Sequence, residues 1–224
     1  MVGKNETPLT WVRHGARILQ GYGRGYSGEG KDAFARFTNW LTWRAAALDE
    51  IEHAHRSVGG TGPGRRFLTQ QINQAYAILL SSQLQGFCRD LHMEGADHLV
   101  ATVVSPVLLG AYRDNLLFGR KLDTGNPNPG NIGSDFNRLG LLFWPAVDAD
   151  HPRNPQRRRV LETLNRWRNA IAHNAFAPDM YKGSRPSLHL AEVQDWRRAC
   201  DGLARSFDHV LRAHLLSATG TTPW

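Results

Sequence analysis

Apolar residues recur along this chain at three- and four-residue intervals, with no stretch of the strict alternation that marks a half-buried strand. A first helix is predicted from about Asp32 to Ser57, with Phe34, Phe37, Leu41, Leu48 and Ile51 at helical spacing and Asp32 as N-cap. Gly59 to Gly64 reads as an interhelical turn. A second helix, from near Arg66 to about Met93, carries the stripe Ile72, Tyr76, Leu79, Leu80, Leu84, Phe87 and Leu91. Gln83, Gln85, Arg89 and Asp90 lie on its flanks. Shorter helices are predicted from Ala96 to Val104 and over residues 107–118. Gly119 to Asp150 is rich in Gly, Pro and Asn and reads as a long loop insertion, with one short helix over Phe136 to Trp144 capped at Ser134. Such an insertion either shapes a site or decorates the surface. The third long helix starts near Gln156 and keeps Val160, Leu164, Trp167 and Ile171 within roughly 60° of one another. Asn174 and Pro178 are its stop signals. The last helix runs from about Leu188 to Leu216 on Val193, Trp196, Cys200, Leu203, Phe207, Val210 and Leu211. The predicted fold is therefore all-α. A bundle of four main helices, with extra short helices and the insertion at about 119–150, fills residues 32–218 between a flexible arm (1–31) and a tail (219–224).

Composition narrows this picture only slightly. With 224 residues, 41% hydrophobic and 21% charged, the chain suits one globular domain with decoration. No run approaches the roughly 18 apolar residues of a membrane span, and the first thirty residues lack the apolar centre of a signal peptide. A cytoplasmic location and no membrane partner are the expectations. Cys88 and Cys200 each sit in a helical apolar pattern and read as buried thiols of a reducing compartment rather than a disulfide. Gly23, Gly25 and Gly28 spell GxGxxG without the preceding strand that gives the motif its meaning, so the arm is not read as a nucleotide site. His53 and His55 fall on different sides of a helix, and the ten histidines include no His-x3-His pair, so no metal is expected. The net charge of +7, from 27 basic and 20 acidic residues, permits a polyanionic partner. Arg153, Arg157, Arg158, Arg159, Arg166 and Arg168 gather on the third long helix and its approach, either as an RNA-facing surface or as a solvated face.

The chemistry concentrates in the stretch from Arg168 to His173, Arg-Asn-Ala-Ile-Ala-His. On a helical wheel Arg168 falls between Leu164 and Leu161, inside the apolar sector. A guanidinium there must be paired or must face a cavity. Asp90 is the suggested charge partner. Glu162, Asn165, Asn169 and His173 form a separate polar stripe, with Asn169 and His173 one turn apart.

An Arg, a polar residue, three further positions and a His near the end of a helix resemble the R-x4-6-H motif of the HEPN superfamily, in its RN-x3-H form. The resemblance implies a metal-independent endoribonuclease that needs no cofactor and acts on RNA as a homodimer with a composite active site. In that reading the adjacent ribose 2′-hydroxyl attacks the phosphorus. His173 transfers protons, Arg168 grips the non-bridging oxygens, and Asn169 orients His173 or a phosphate oxygen. Arg157, Arg158 and Arg166 are the expected RNA contacts. The setting it implies is a toxin or antiphage effector restrained by an antitoxin or regulatory protein. On an ideal helix Arg168 and His173 lie about 140° apart around the axis and about 7.5 Å along it, so two copies would present them to one phosphate better than one. Two alternatives stay open. One is a non-catalytic HEPN module that binds RNA, a nucleotide or a partner protein; the other is a helical scaffold in which Arg168 forms a buried ion pair and His173 caps a helix.

Overall fold

The computed structural model describes residues 35–58 and 65–224. The expected arm, the Asp32 cap and the glycine-rich turn at 59–64 lie outside the described residues. The described chain is almost wholly helical: α1 (Ala35–Asn39), a π-helical turn (Trp40–Arg44), α2 (Ala45–Val58), α3 (Arg65–Val103), α4 (Leu109–Leu117), α5 (Lys121–Thr124), α6 (Pro129–Asn137), α7 (Phe143–Asp150), α8 (Asn154–His173) and α9 (Leu190–Thr219). A single two-stranded hairpin, β1 (Tyr181–Lys182) and β2 (Arg185–Pro186), lies between α8 and α9. No helix among the described residues is long and apolar enough to cross a membrane.

The centre of the molecule is α3, which packs against α2, α8 and α9, while α8 and α9 also pack on each other. Its stripe of Tyr76, Leu80, Leu84, Phe87 and Leu91 is fully sequestered, as the spacing requires. The helix continues unbroken through Gly95 to Val103, so the expected break near Met93 does not occur. At Gly95 an added Cβ would lie 2.9 Å from Leu211 Cδ2 and 3.1 Å from Leu139 Cδ1. The glycine lets α9 and the loop after α6 close onto α3, and the packing offsets its poor helix propensity.

The first helix departs from its expected phase. The π turn inserts one residue, which rotates the following side chains by about 100°. Leu41 is consequently half exposed, whereas Trp40 and Arg44 point inward. The Trp40 indole N–H donates to Asp201 (3.0 Å), and Arg44 donates to Gln83 Oε1 (2.7 Å) and to Asp90 (2.8 Å). Asp90 therefore belongs to Arg44, not to Arg168. About two turns on, Glu52 accepts from the Tyr76 hydroxyl, from Gln194 (2.9 Å) and from Arg197 (3.0 Å), a charged pin between α2, α3 and α9. Burial alone would raise the Glu52 carboxyl, but these donors hold it below its ordinary pKa.

The largest difference is the stretch from Gly119 to Asp150. It is not a loop insertion: α5, α6 and α7 fill it, and Leu122, Ile132, Phe136, Phe143 and Val147 are buried in the main core. Phe136 stacks on Phe143 at 4.3 Å, and Phe143 meets Phe207 of α9 at 4.9 Å. The cap of α6 is Asn128, whose side chain accepts from the Asn131 amide (2.8 Å), with Pro129 next in line; Ser134 lies inside the helix. The Asp135 carboxylate accepts the amides of Lys121 and Leu122, each at 2.8 Å, and so caps α5. Beside it, the His92 ring donates to the Asp135 carbonyl (3.0 Å). Burial, and then the nearby Arg120 guanidinium, lower the His92 pKa to about 4. Cys88 and Cys200 are free and buried, and burial pushes both thiols up.

Two measurements check this packing. Phe136→Ala is expected to cost about 3–5 kcal/mol in urea unfolding, against about 0.5 or less for the exposed Leu142→Ala; similar small losses would mean that residues 119–150 do not share the core. The unfolded imidazole titrates near 6.5 and the folded one near 4, so the unfolded state takes up the proton first as pH falls. Stability present above pH 6.5 should thus decline by up to about 3 kcal/mol towards pH 4, and His92→Gln should remove that part of the decline.

Candidate active site

The motif helix ends where the sequence indicates. Asn174 takes a left-handed conformation (φ 49°), its amide reaching the Ile171 carbonyl at 3.3 Å, and the Ala175 amide returns to the Ala170 carbonyl at 2.9 Å. Leu161, Leu164, Trp167 and Ala170 hold α8 in the core, and Trp167 packs on Trp196 of α9. Val160 and Ile171 are only half-buried, because the dry face of α8 is centred nearer Leu164.

Arg168 is half-buried and has no ion pair among the described residues. Its Nη1 donates to Asn169 Oδ1 at 3.2 Å. That oxygen also accepts from Asn126 Nδ2 (2.9 Å), so Asn169 is engaged by Arg168 and by the loop before α6 rather than by His173. The loop is itself held by side-chain amides. Asn126 accepts from Asn128 (2.7 Å), its carbonyl accepts from Asn131 (2.8 Å), and Asn165 donates to the Pro127 carbonyl (3.0 Å). Gln85 of α3 donates to the carbonyls of Leu122 (2.6 Å) and Gly125 (2.8 Å). A chain of contacts thus runs from the core helix α3 through Gln85, the Gly125–Asn126 backbone and Asn169 to Arg168. Asn165, placed by the wheel on the polar stripe, is buried because it serves this loop.

His173 is exposed and has no hydrogen-bond partner among the described residues. With Arg166, Asn169 and Met180 it lines a shallow hollow of about 270 Å³. Arg168 is not part of that lining, so the two groups look out on different sides of α8, as their separation around the helix requires. One chain brings Asn169 beside each of them but does not bring Arg168 and His173 together.

The three expected RNA contacts are dispersed. Arg166 sits on the rim of this hollow, paired with Asp179. Arg158 pairs with Asp148 (2.9 Å) and lies over the Trp144 ring, while Arg157 donates to Asn154 Oδ1 (2.8 Å) near the other end of α8. Sequence reasoning did not single out Asn126, and it offered Gln85 only as one of four flanking residues, with Gln83, Arg89 and Asp90, any of which could line a site. The Asn-Pro-Asn-Pro-Gly-Asn stretch was a signal for a structured turn, but nothing in its order shows which helix it faces. No group of three or more His, Cys, Asp or Glu side chains able to hold a metal ion occurs among the described residues.

No family model matches the chain, and neither a curated protein nor a solved structure matches it at a significant level.

Asn126→Ala removes the contact that fixes Asn169. It is expected to cost about 1 kcal/mol, and hydrogen exchange should quicken most at the amides of residues 126–132. An increase spread evenly over the chain would show that these amides do not anchor the segment.

Proposed function

We propose that this protein is a metal-independent endoribonuclease of the HEPN kind, working through Arg168, Asn169 and His173. The observation that carries the reading is Arg168 itself. Arg44, Arg120, Arg158 and Arg197, also buried or half-buried, each have a carboxylate, whereas Arg168 is met only by a side-chain amide. A guanidinium held in place but not neutralised is suited to an incoming anion, because the donor fork is oriented and its charge is not already used.

The chemistry follows from these groups. Histidine exchanges protons near neutral pH and can take the proton from the ribose 2′-hydroxyl or deliver one to the departing 5′-oxygen. Arg168 would hold the non-bridging oxygens as charge builds at phosphorus. Asn169 acts as a positioning residue, since its side-chain oxygen accepts from Arg168 and from Asn126 of the loop. Arg166, on the rim, is the RNA contact nearest His173; Arg157 and Arg158 would meet a longer substrate. Because Arg168 and His173 face apart, the reading requires two copies about a twofold axis, each lending one group to a shared groove. The setting, a toxin or antiphage effector restrained by a partner protein, rests on the resemblance alone.

The test is cleavage of total RNA in excess EDTA. Wild type should cut, leaving 2′,3′-cyclic phosphate and 5′-hydroxyl ends, and Arg168→Ala and His173→Ala should each lose about a hundredfold or more. His173 is exposed and Arg168 half-buried with no ion pair among the described residues, so the variants should melt close to wild type. Mixing the two variants should restore part of the activity if the groove is shared. Inactive wild type would favour the binding-module alternative, activity abolished by EDTA would point to a metal enzyme, and unchanged cleavage by the variants would place the site elsewhere.

A further inference from the structure

At the opposite end of α8 the structure holds a second basic concavity, a hollow of about 350 Å³ formed where the end of α7, the start of α8 and the middle of α9 meet. Arg157, Arg205 and Arg212 line it, with His151 and His209. None of the three arginines has an ion pair among the described residues, nor has the neighbouring Arg153. Several arginines elsewhere are paired: Arg44 with Asp90, Arg89 with Asp123, Arg113 with Asp97, Arg197 with Asp49 and Glu52. Three arginines without an ion pair among the described residues thus share one hollow.

Arg157 is built into position. Its Nη1 donates to Asn154 Oδ1 at 2.8 Å, and Asn154 is fully buried, with Nδ2 donating to the Val147 carbonyl (2.6 Å) and to Ser206 Oγ (2.9 Å). The guanidinium lies against the bare backbone of α9 at Gly202, where an added Cβ would sit 2.3 Å from Arg157 Cζ and 2.4 Å from Nε. Burial, and then the charges of Arg153 and Arg205, make this guanidinium easier to deprotonate than usual, with the Asp150 carboxylate opposing them. Two carboxylates also line the hollow, and both have partners: Asp150 is bonded to the His209 ring and Ser206, and Asp208 accepts from the Trp224 indole (3.2 Å).

We propose that this hollow binds a phosphate group, carried by a free phosphate or nucleotide or by an RNA chain. Three guanidiniums lining one hollow, one of them fixed by a buried amide, supply the fork donors that phosphate oxygens take in pairs. The site is separate from the motif: Arg157 and His173 stand about 24 Å apart along α8. It does not depend on the ribonuclease reading.

Calorimetric titration of the full chain with inorganic phosphate, with adenosine 5′-monophosphate and with a short single-stranded RNA lacking terminal phosphates tests it. The RNA arm uses His173→Ala, so that cleavage at the motif cannot obscure binding here. At least one ligand should bind saturably, and Gly202→Ala and Arg205→Ala should each weaken it about tenfold or more. Gly202→Ala should remain folded, because alanine favours the helix and only the end of a flexible side chain is displaced. Arg159→Ala, exposed on α8 outside the hollow, should leave binding unchanged. Binding of phosphate or the nucleotide but not RNA assigns the free source; RNA binding weakened by the same variants assigns the chain. No binding of any of the three, or binding indifferent to Gly202→Ala and Arg205→Ala, or equally weakened by Arg159→Ala, would overturn the proposal.

Discussion

Peptide groups that leave regular structure inside a fold must still find hydrogen-bond partners, and the segment before α6 meets this demand with side chains from its neighbours. Asp135 takes two of its amides, Gln85 supplies two of its carbonyls, and Asn165 supplies a third. The last of these amides belongs to α8, and Asn126 ties the segment to α8 a second time through Asn169. Arg168 is therefore oriented by residues some forty positions away in sequence. Its placement is a property of the fold and not of one helix end.

The regular elements were legible where one face of a helix meets the core for its whole length. The stripes of α3 and α9 are buried nearly as the periodicity requires, and the end of α8 at Asn174 follows from residue type. Legibility failed for three physical reasons. At Trp40–Arg44 a π turn changes the phase, so Leu41 and Arg44 exchange the roles a uniform wheel assigns them. At Gly95 tertiary packing overrides propensity and keeps α3 intact. Between Gly119 and Asp150 the elements are too short for a periodic signal, and their Gly, Pro and Asn residues are caps and turns rather than signs of irregularity. The motif itself was legible; the partner of Asn169 was not, because side-chain amides carry no directional mark in a sequence.

The basic excess of the chain takes on a different meaning once its pairs are known. Several arginines are internal fasteners, as at Arg44, Arg120 and Arg197, where carboxylates and carbonyls use up the donors. Two of those without an ion pair among the described residues, Arg157 and Arg168, lie near opposite ends of α8. Arg168 is met by a neutral amide and Arg157 by another, and a neutral acceptor fixes a guanidinium without cancelling its charge.

Cys88 and Cys200 sit on the two helices whose contact forms the centre of the core, and they are near enough that Cys88 adds to the rise in the Cys200 pKa. A thiol that resists ionisation and meets no solvent is inert to alkylating reagents until its surroundings open. These being the only cysteines in the chain, the pace of their modification becomes a clock for separation of α3 from α9. Slow, simultaneous capture of both would report that the core parts as one unit.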